Sequence, residues 1–102
     1  MVARLDPSVA GFPLQVYLSV QLARHDLRSS AAFEKEVRAI PQVIAGDFVA
    51  GETDAILLVV ARDVGELQRV LNRLAARGAQ RLITYLRLEE IKPTSPLPLS
   101  AS

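Results

Sequence analysis

The sequence predicts an α+β sandwich in which a four-stranded antiparallel sheet carries two helices on one face. Three observations lead there. Residues 14–22 alternate strictly between apolar and polar side chains. Residues 55–61 form an unbroken apolar run. The stretches 29–40 and 64–77 set their apolar residues at helical spacing.

The first strand is the plainest element. Leu14, Val16, Leu18, Val20 and Leu22 point one way, and Gln15, Tyr17, Ser19 and Gln21 point the other. A period of two over this length marks a strand with one buried face. Residues 23–28 are polar and form a connection. Ser29 or Ser30 offers a hydroxyl to the free amides of the next helix. Phe33, Val37 and Ile40 share one face of that helix. Pro41 closes it, because the residue before a proline is pushed out of the α region.

A second strand is expected over 42–50, with Gly46 weakening it or marking a bulge. Gly51-Glu52-Thr53-Asp54 has the composition of a turn. The run AILLVVA that follows suits a strand buried on both faces. Asp63 is a helix cap, and Glu66 three residues on can complete a capping box. Val64, Leu67, Val70, Leu71 and Leu74 form the buried stripe of the second helix. Each large side chain in it contributes roughly 1.5–3 kcal/mol when covered. Gly78 suits the left-handed position past the helix end. Residues 80–91 make the last strand.

The order βαββαβ is that of a ferredoxin-like sandwich. Both crossovers are right-handed, so both helices land on one face and the other stays open. The first and third strands are central in this topology, which leaves apolar side chains on the open face. A soluble chain covers such a patch, so a homodimer built sheet to sheet is expected, in the manner of a dimeric α+β barrel. Gln15, Tyr17, Ser19 and Gln21 would line that interface.

Composition narrows the role. At 102 residues the chain is one domain. It divides into an approach segment over 1–11, a domain over 12–92 and a proline-rich tail over 93–102. Twelve basic and eleven acidic residues leave a net charge of +1, which argues against direct nucleic-acid binding by this chain alone. No cysteine is present, so disulfides and thiolate sites are excluded. That fits a reducing cytoplasm. No apolar run reaches the ~18 residues of a membrane span. The single histidine, His25, lies beside Asp26 in a polar connection, where a His–carboxylate pair is conceivable. One histidine without spaced partners makes no metal site, and no cofactor is expected. Arg69, Arg73 and Arg77 form a row on the second helix, read as a solvated face, with a phosphate-binding stripe or an inter-subunit ion-pair row as the sharper alternatives.

Several segments resemble the Lrp/AsnC family of transcription regulators. GETDAILLVV followed by Arg62-Asp63 resembles the family's Gly-x-x-Asp signature between the second and third strands of its C-terminal RAM domain. Thr84-Tyr85 and Glu89-Glu90-Ile91-Lys92 are similar to its closing strand, and Ile40-Pro41-Gln42-Val43 to its proline junction. Leu5-Asp6-Pro7 and Gly11 resemble the linker from its DNA-binding domain. The resemblance implies a non-enzymatic module that senses an amino-acid effector and assembles dimers into a ring. It implies an effector site at Gly51, Glu52, Thr53 and Asp54, with Thr84 and Tyr85 from a neighbouring chain. On the residues alone the same turn is also an ordinary hairpin.

The sequence departs from the family at three places. The helix-turn-helix has no counterpart, so the chain is expected to be either a stand-alone module or a fragment. Ala55 stands where the family has Tyr, and Leu82 where it has Thr, which leaves the ligand open. The alternative reading is a small dimeric α+β barrel enzyme, an oxidising or isomerising one. Such an enzyme needs polar groups of shifted pKa converging in an apolar cavity. The inward rows here are plain aliphatic.

Overall fold

The structure is a computed structural model that describes residues 11–98. The expected approach segment therefore lies, apart from Gly11, outside the described residues. The elements are β1 (Leu14–Leu22), α1 (Leu27–Arg38), β2 (Val43–Phe48), β3 (Ala55–Ala61), α2 (Val64–Ala76) and β4 (Ala79–Leu86). The sheet is antiparallel with strand order β2-β3-β1-β4, so β1 and β3 are central as expected.

The alternation in β1 sets the layers. Val16, Leu18, Val20 and Leu22 are buried and face the helices. They meet Phe33 and Ile40 from the α1 side, Leu57 and Val59 from β3, and Val70 and Leu74 from α2. Glu36 of α1 pairs with Arg73 and Arg77 of α2, which ties the helices together outside the core. Arg73 and Arg77 of the arginine row are thus held in ion pairs within the chain.

Several boundaries differ from expectation. The cap of α1 is Asp26, not Ser29 or Ser30; its carboxylate accepts from the Ser29 amide at 2.8 Å and the Ser29 hydroxyl at 3.1 Å. Asp26 occupies the cap position, three residues before the Ser29 amide, whereas both serines already lie inside the helix. At α2, Asp63 caps as expected, accepting from the Glu66 amide at 2.8 Å. Glu66 reaches past the cap and accepts from the Arg62 amide at 2.6 Å and from Gln42 Nε2 at 2.9 Å. Val64 does not join the buried stripe, being 71% exposed on the first turn.

In β2 the bulge falls between Val43 and Ala45 rather than at Gly46. Gly46 instead makes room for its neighbour in β3, since a Cβ there would stand 2.7 Å from Leu57 Cδ2. β3 is not buried on both faces throughout, since Ile56 is 39% exposed on the open side. β4 ends at Leu86, short of residue 91, because β1 begins at Leu14 and the pairing runs out. Gly78 adopts φ +106° past the end of α2 and its carbonyl accepts from the Ala23 amide at 2.9 Å.

Candidate functional site

The connection between β2 and β3 is stitched to the second half of β1. The Val49 amide donates to the Asp54 carbonyl at 3.0 Å and closes the turn. The Asp54 amide donates to the Val20 carbonyl at 2.9 Å. The Thr53 hydroxyl accepts from Ser19 Oγ at 2.7 Å and donates to the Val20 carbonyl at 2.9 Å. Gln21 Nε2 donates to the Glu52 carbonyl at 2.7 Å. Gly51 sits at φ +151°, a backbone angle that other residues rarely adopt.

Asp54 anchors the far side of this turn. Its Oδ2 accepts from the Leu22 amide at 2.8 Å and meets His25 Nε2 at 3.0 Å. The Leu22 amide, and then the His25 side chain, hold its carboxyl below the usual aspartate range, against an opposing effect of burial. His25 therefore pairs with Asp54 rather than with Asp26. Nothing in the sequence alone joins two residues so far apart; the β1–β3 register does.

Beside the turn lies an open hollow of about 740 Å³ on the face of the sheet away from the helices. Ser19, Gln21, Ile56 and Ile83 floor it, and Gly51, Glu52, Thr53, Arg81 and Tyr85 rim it. Such a volume suits a small molecule. Neither Glu52 nor Arg81 has a side-chain partner among the described residues. The hollow's lining therefore includes one carboxylate and one guanidinium without side-chain partners among the described residues, together with the polar Ser19 and Gln21 and the apolar Ile56 and Ile83.

The structure thus brings Gly51, Glu52, Thr53 and Tyr85 of one chain around one hollow. Asp54 is turned away, toward Leu22 and His25. Thr84 pairs with Leu18, on the helix-bearing face, while Tyr85 pairs with Tyr17 on the open one. Of the expected interface residues, Ser19 and Gln21 hold the turn, Gln15 takes Arg87 Nη1 at 2.9 Å, and Tyr17 is 40% exposed. Sequence reasoning missed Arg81 and the role of His25. The alternation Arg81, Ile83, Tyr85 was the available signal for the former, since it matches Gln21, Ser19 and Tyr17 across the strand pair.

A second cavity of about 480 Å³ lies between α1 and β2, floored by Phe33, Val37, Phe48 and Leu57. The Glu34–Arg38 ion pair closes its rim at 3.1 Å. The carboxylates held below their ordinary range among the described residues are Asp26, Glu36, Asp54 and Glu66, and none lines this cavity.

Residues 15–97 match the family model described as the Lrp/AsnC ligand binding domain. The chain belongs to the Lrp/AsnC family. This Lrp/AsnC domain is 35% identical over 95 residues to the HTH-type transcriptional regulator AldR of Mycolicibacterium smegmatis, covering 91% of the chain and 56% of that protein. It is 36% identical over 98 residues to AldR of Mycobacterium tuberculosis, covering 91% and 53%. Among solved structures it is similar to a transcriptional regulator of Neisseria meningitidis in complex with L-Met. There the TM-score is 0.83 at 30% identity, over 98% of this chain and 66% of that one. The Lrp/AsnC domain spans just over half the length of the curated regulators it matches. No helix among the described residues is long and apolar enough to cross a membrane.

Proposed function

We propose that this domain binds a free amino acid in the hollow beside Gly51–Thr53 and couples that binding to self-association, as the non-enzymatic sensing part of a cytoplasmic transcription regulator. The observation that carries the reading is the presence of a carboxylate, Glu52, and a guanidinium, Arg81, in the lining of one hollow. Glu52 stands ready for an ammonium group and Arg81 for a carboxylate, with Ile56, Ile83 and Tyr85 beside them for an apolar side chain. An α-amino acid presents that set of groups. Charge-assisted bonds at both ends are about twice as strong as neutral ones and set its orientation. The Neisseria relative, whose structure is a complex with L-Met, supports the ligand class.

Asp54 serves here as anchor of the turn, while Glu52 takes the ammonium. The open face, with Gln15, Tyr17, Ser19 and Gln21, meets a second copy, and a ring of such dimers is the expected larger assembly. The hollow opens on that same face, so a partner would complete its wall. Ligand bound only by the assembled form then stabilises assembly by mass action. Thr84 of a neighbouring chain is the further effector contact expected where dimers meet. The relatives are transcription regulators, which supports this reading over the barrel-enzyme alternative.

The test is calorimetric titration with a panel of amino acids, following oligomer mass in parallel. One or more is expected to bind. Glu52→Ala and Arg81→Ala should each weaken binding roughly tenfold or more, as loss of a charge-assisted bond does. Asp54→Ala should weaken it indirectly, by releasing the turn, without unfolding the domain. Silence from every amino acid at millimolar concentration would make the domain an assembly scaffold instead of a sensor.

A further inference from the structure

Ser19 is the one short side chain in the outward row of β1, whose other members are Gln15, Tyr17 and Gln21. The strand register sets an isoleucine on each side of it. Ser19 pairs with Ile56 of β3 and with Ile83 of β4. Neighbouring strands lie about 4.8 Å apart, so the two isoleucine Cα atoms flank Ser19 at a mutual distance of roughly 9–10 Å. Along β1 the ends are Tyr17 and Gln21, each two residues or roughly 7 Å away. The floor of the hollow therefore dips over Ser19, between two aliphatic walls and two long side chains.

Two bonds fix the polar groups around this pit. Gln21 Nε2 is held by the Glu52 carbonyl at 2.7 Å, and the Ser19 hydroxyl donates to Thr53 Oγ1 at 2.7 Å. The Ser19 proton is thus spent on the turn, and the side walls are hydrocarbon. Arg81 pairs with Gln21 across the strands, so the charged end of the hollow adjoins one end of the pit. The geometry points to Ser19 as the residue that sets side-chain selectivity. An amino acid held by its charges near Gln21 and Arg81 lowers its side chain into the pit over Ser19. Long apolar side chains cover Ile56 and Ile83 there and are preferred. Short ones leave the pit unfilled, and charged ones lose their water against aliphatic walls. A larger residue at position 19 fills the pit from below and removes the preference.

This inference rests on the reading that the hollow takes a free amino acid, and the experiment separates the two. Calorimetric titrations with glycine, alanine, leucine, methionine and phenylalanine are run on the wild-type chain, Ser19→Ala and Ser19→Leu. In the wild type, affinity should rise roughly tenfold or more from alanine to methionine, at about three- to fourfold for each methylene covered. Ser19→Ala removes the bond to Thr53 but leaves the pit open. It should keep that ratio, with every affinity shifted by a common factor. Ser19→Leu should bring the methionine-to-alanine ratio below about three, because the ligand's methylenes no longer reach the walls. Ser19→Val, a good strand former, should give an intermediate ratio, and it takes the place of Ser19→Leu if circular dichroism shows that variant unfolded. Equal affinity for short and long side chains in the wild type, or a ratio that survives the larger residue, overturns the role of Ser19 and leaves the amino-acid site standing. Absence of binding by every amino acid to the wild type overturns both.

Discussion

His25 Nε2 lies 3.0 Å from Asp54 Oδ2, the same oxygen that accepts the Leu22 amide at 2.8 Å. A single carboxylate oxygen thus joins the end of β1, the loop before α1 and the turn before β3. The pair is accessible, with the His25 side chain 71% exposed, so its value lies in local order more than in global stability. His25→Ala should leave the thermal midpoint within a few degrees of wild type while amide exchange at residues 51–54 speeds up several-fold. Unchanged exchange there would show that the Leu22 amide alone holds the turn. Because the Asp54 carboxyl is held below its ordinary value of 3.8, its contribution is present above that pH and fades as pH falls below it.

Glu66 is the stronger acid sensor. It is buried, 5% exposed, and its pKa falls from 4.5 to about 2 under the Arg62 amide, then Gln42, then the Arg62 guanidinium. A carboxyl with a depressed folded value stabilises the fold above its unfolded value and loses that contribution as pH falls through its folded one. Stability should therefore decline between about pH 4.5 and pH 2, measured by urea unfolding. Glu66→Gln should lower the midpoint by several degrees at neutral pH and flatten that decline.

Gly46→Ala should destabilise the domain by about 1 kcal/mol, the lower end of what an extra methyl in a packed site costs. The new Cβ meets the tip of Leu57 at 2.7 Å, and that tip has some freedom to move. Leu57→Ala in the same chain should remove the Gly46 penalty, so the two changes are not additive. Additive effects in denaturant melts would place the cost in the β2 backbone instead.

Gly78→Ala probes backbone alone. Its φ is +106°, and nothing lies within 4 Å of where a Cβ would stand. The loss should be roughly 1–2 kcal/mol, the cost of forcing a side chain into a left-handed conformation. Chemical denaturation checks it. A silent substitution would mean that the α2–β4 turn relaxes despite the bond from the Ala23 amide.

The layers of this domain were legible because one periodicity settles them. The alternation from Leu14 to Leu22 gives the strand, the buried face and the open face together. The ends of elements were less legible, since they depend on competition between neighbours. Asp26 and Ser29 are both good caps, and only the backbone geometry decides between them. The turn 51–54 could be found from its residues, but not which of its carboxylates faces the hollow. Asp54 and Glu52 have the same chemistry in sequence. The strand register turns one to Leu22 and His25 and leaves the other at the rim. His25 and Arg81 needed the fold, because His25 meets Asp54 in a distant turn and Arg81 reaches the hollow only through the β1–β4 pairing.

The stitching of residues 52–54 onto β1 also fixes the wall of the hollow. β1 pairs with strands on both sides, so a turn sewn to it by Ser19, Val20, Gln21 and Leu22 cannot swing as a flap. On the proposed reading, a ligand at the hollow would meet a cup already shaped, would lose little affinity to ordering the protein, and would wait for no gate.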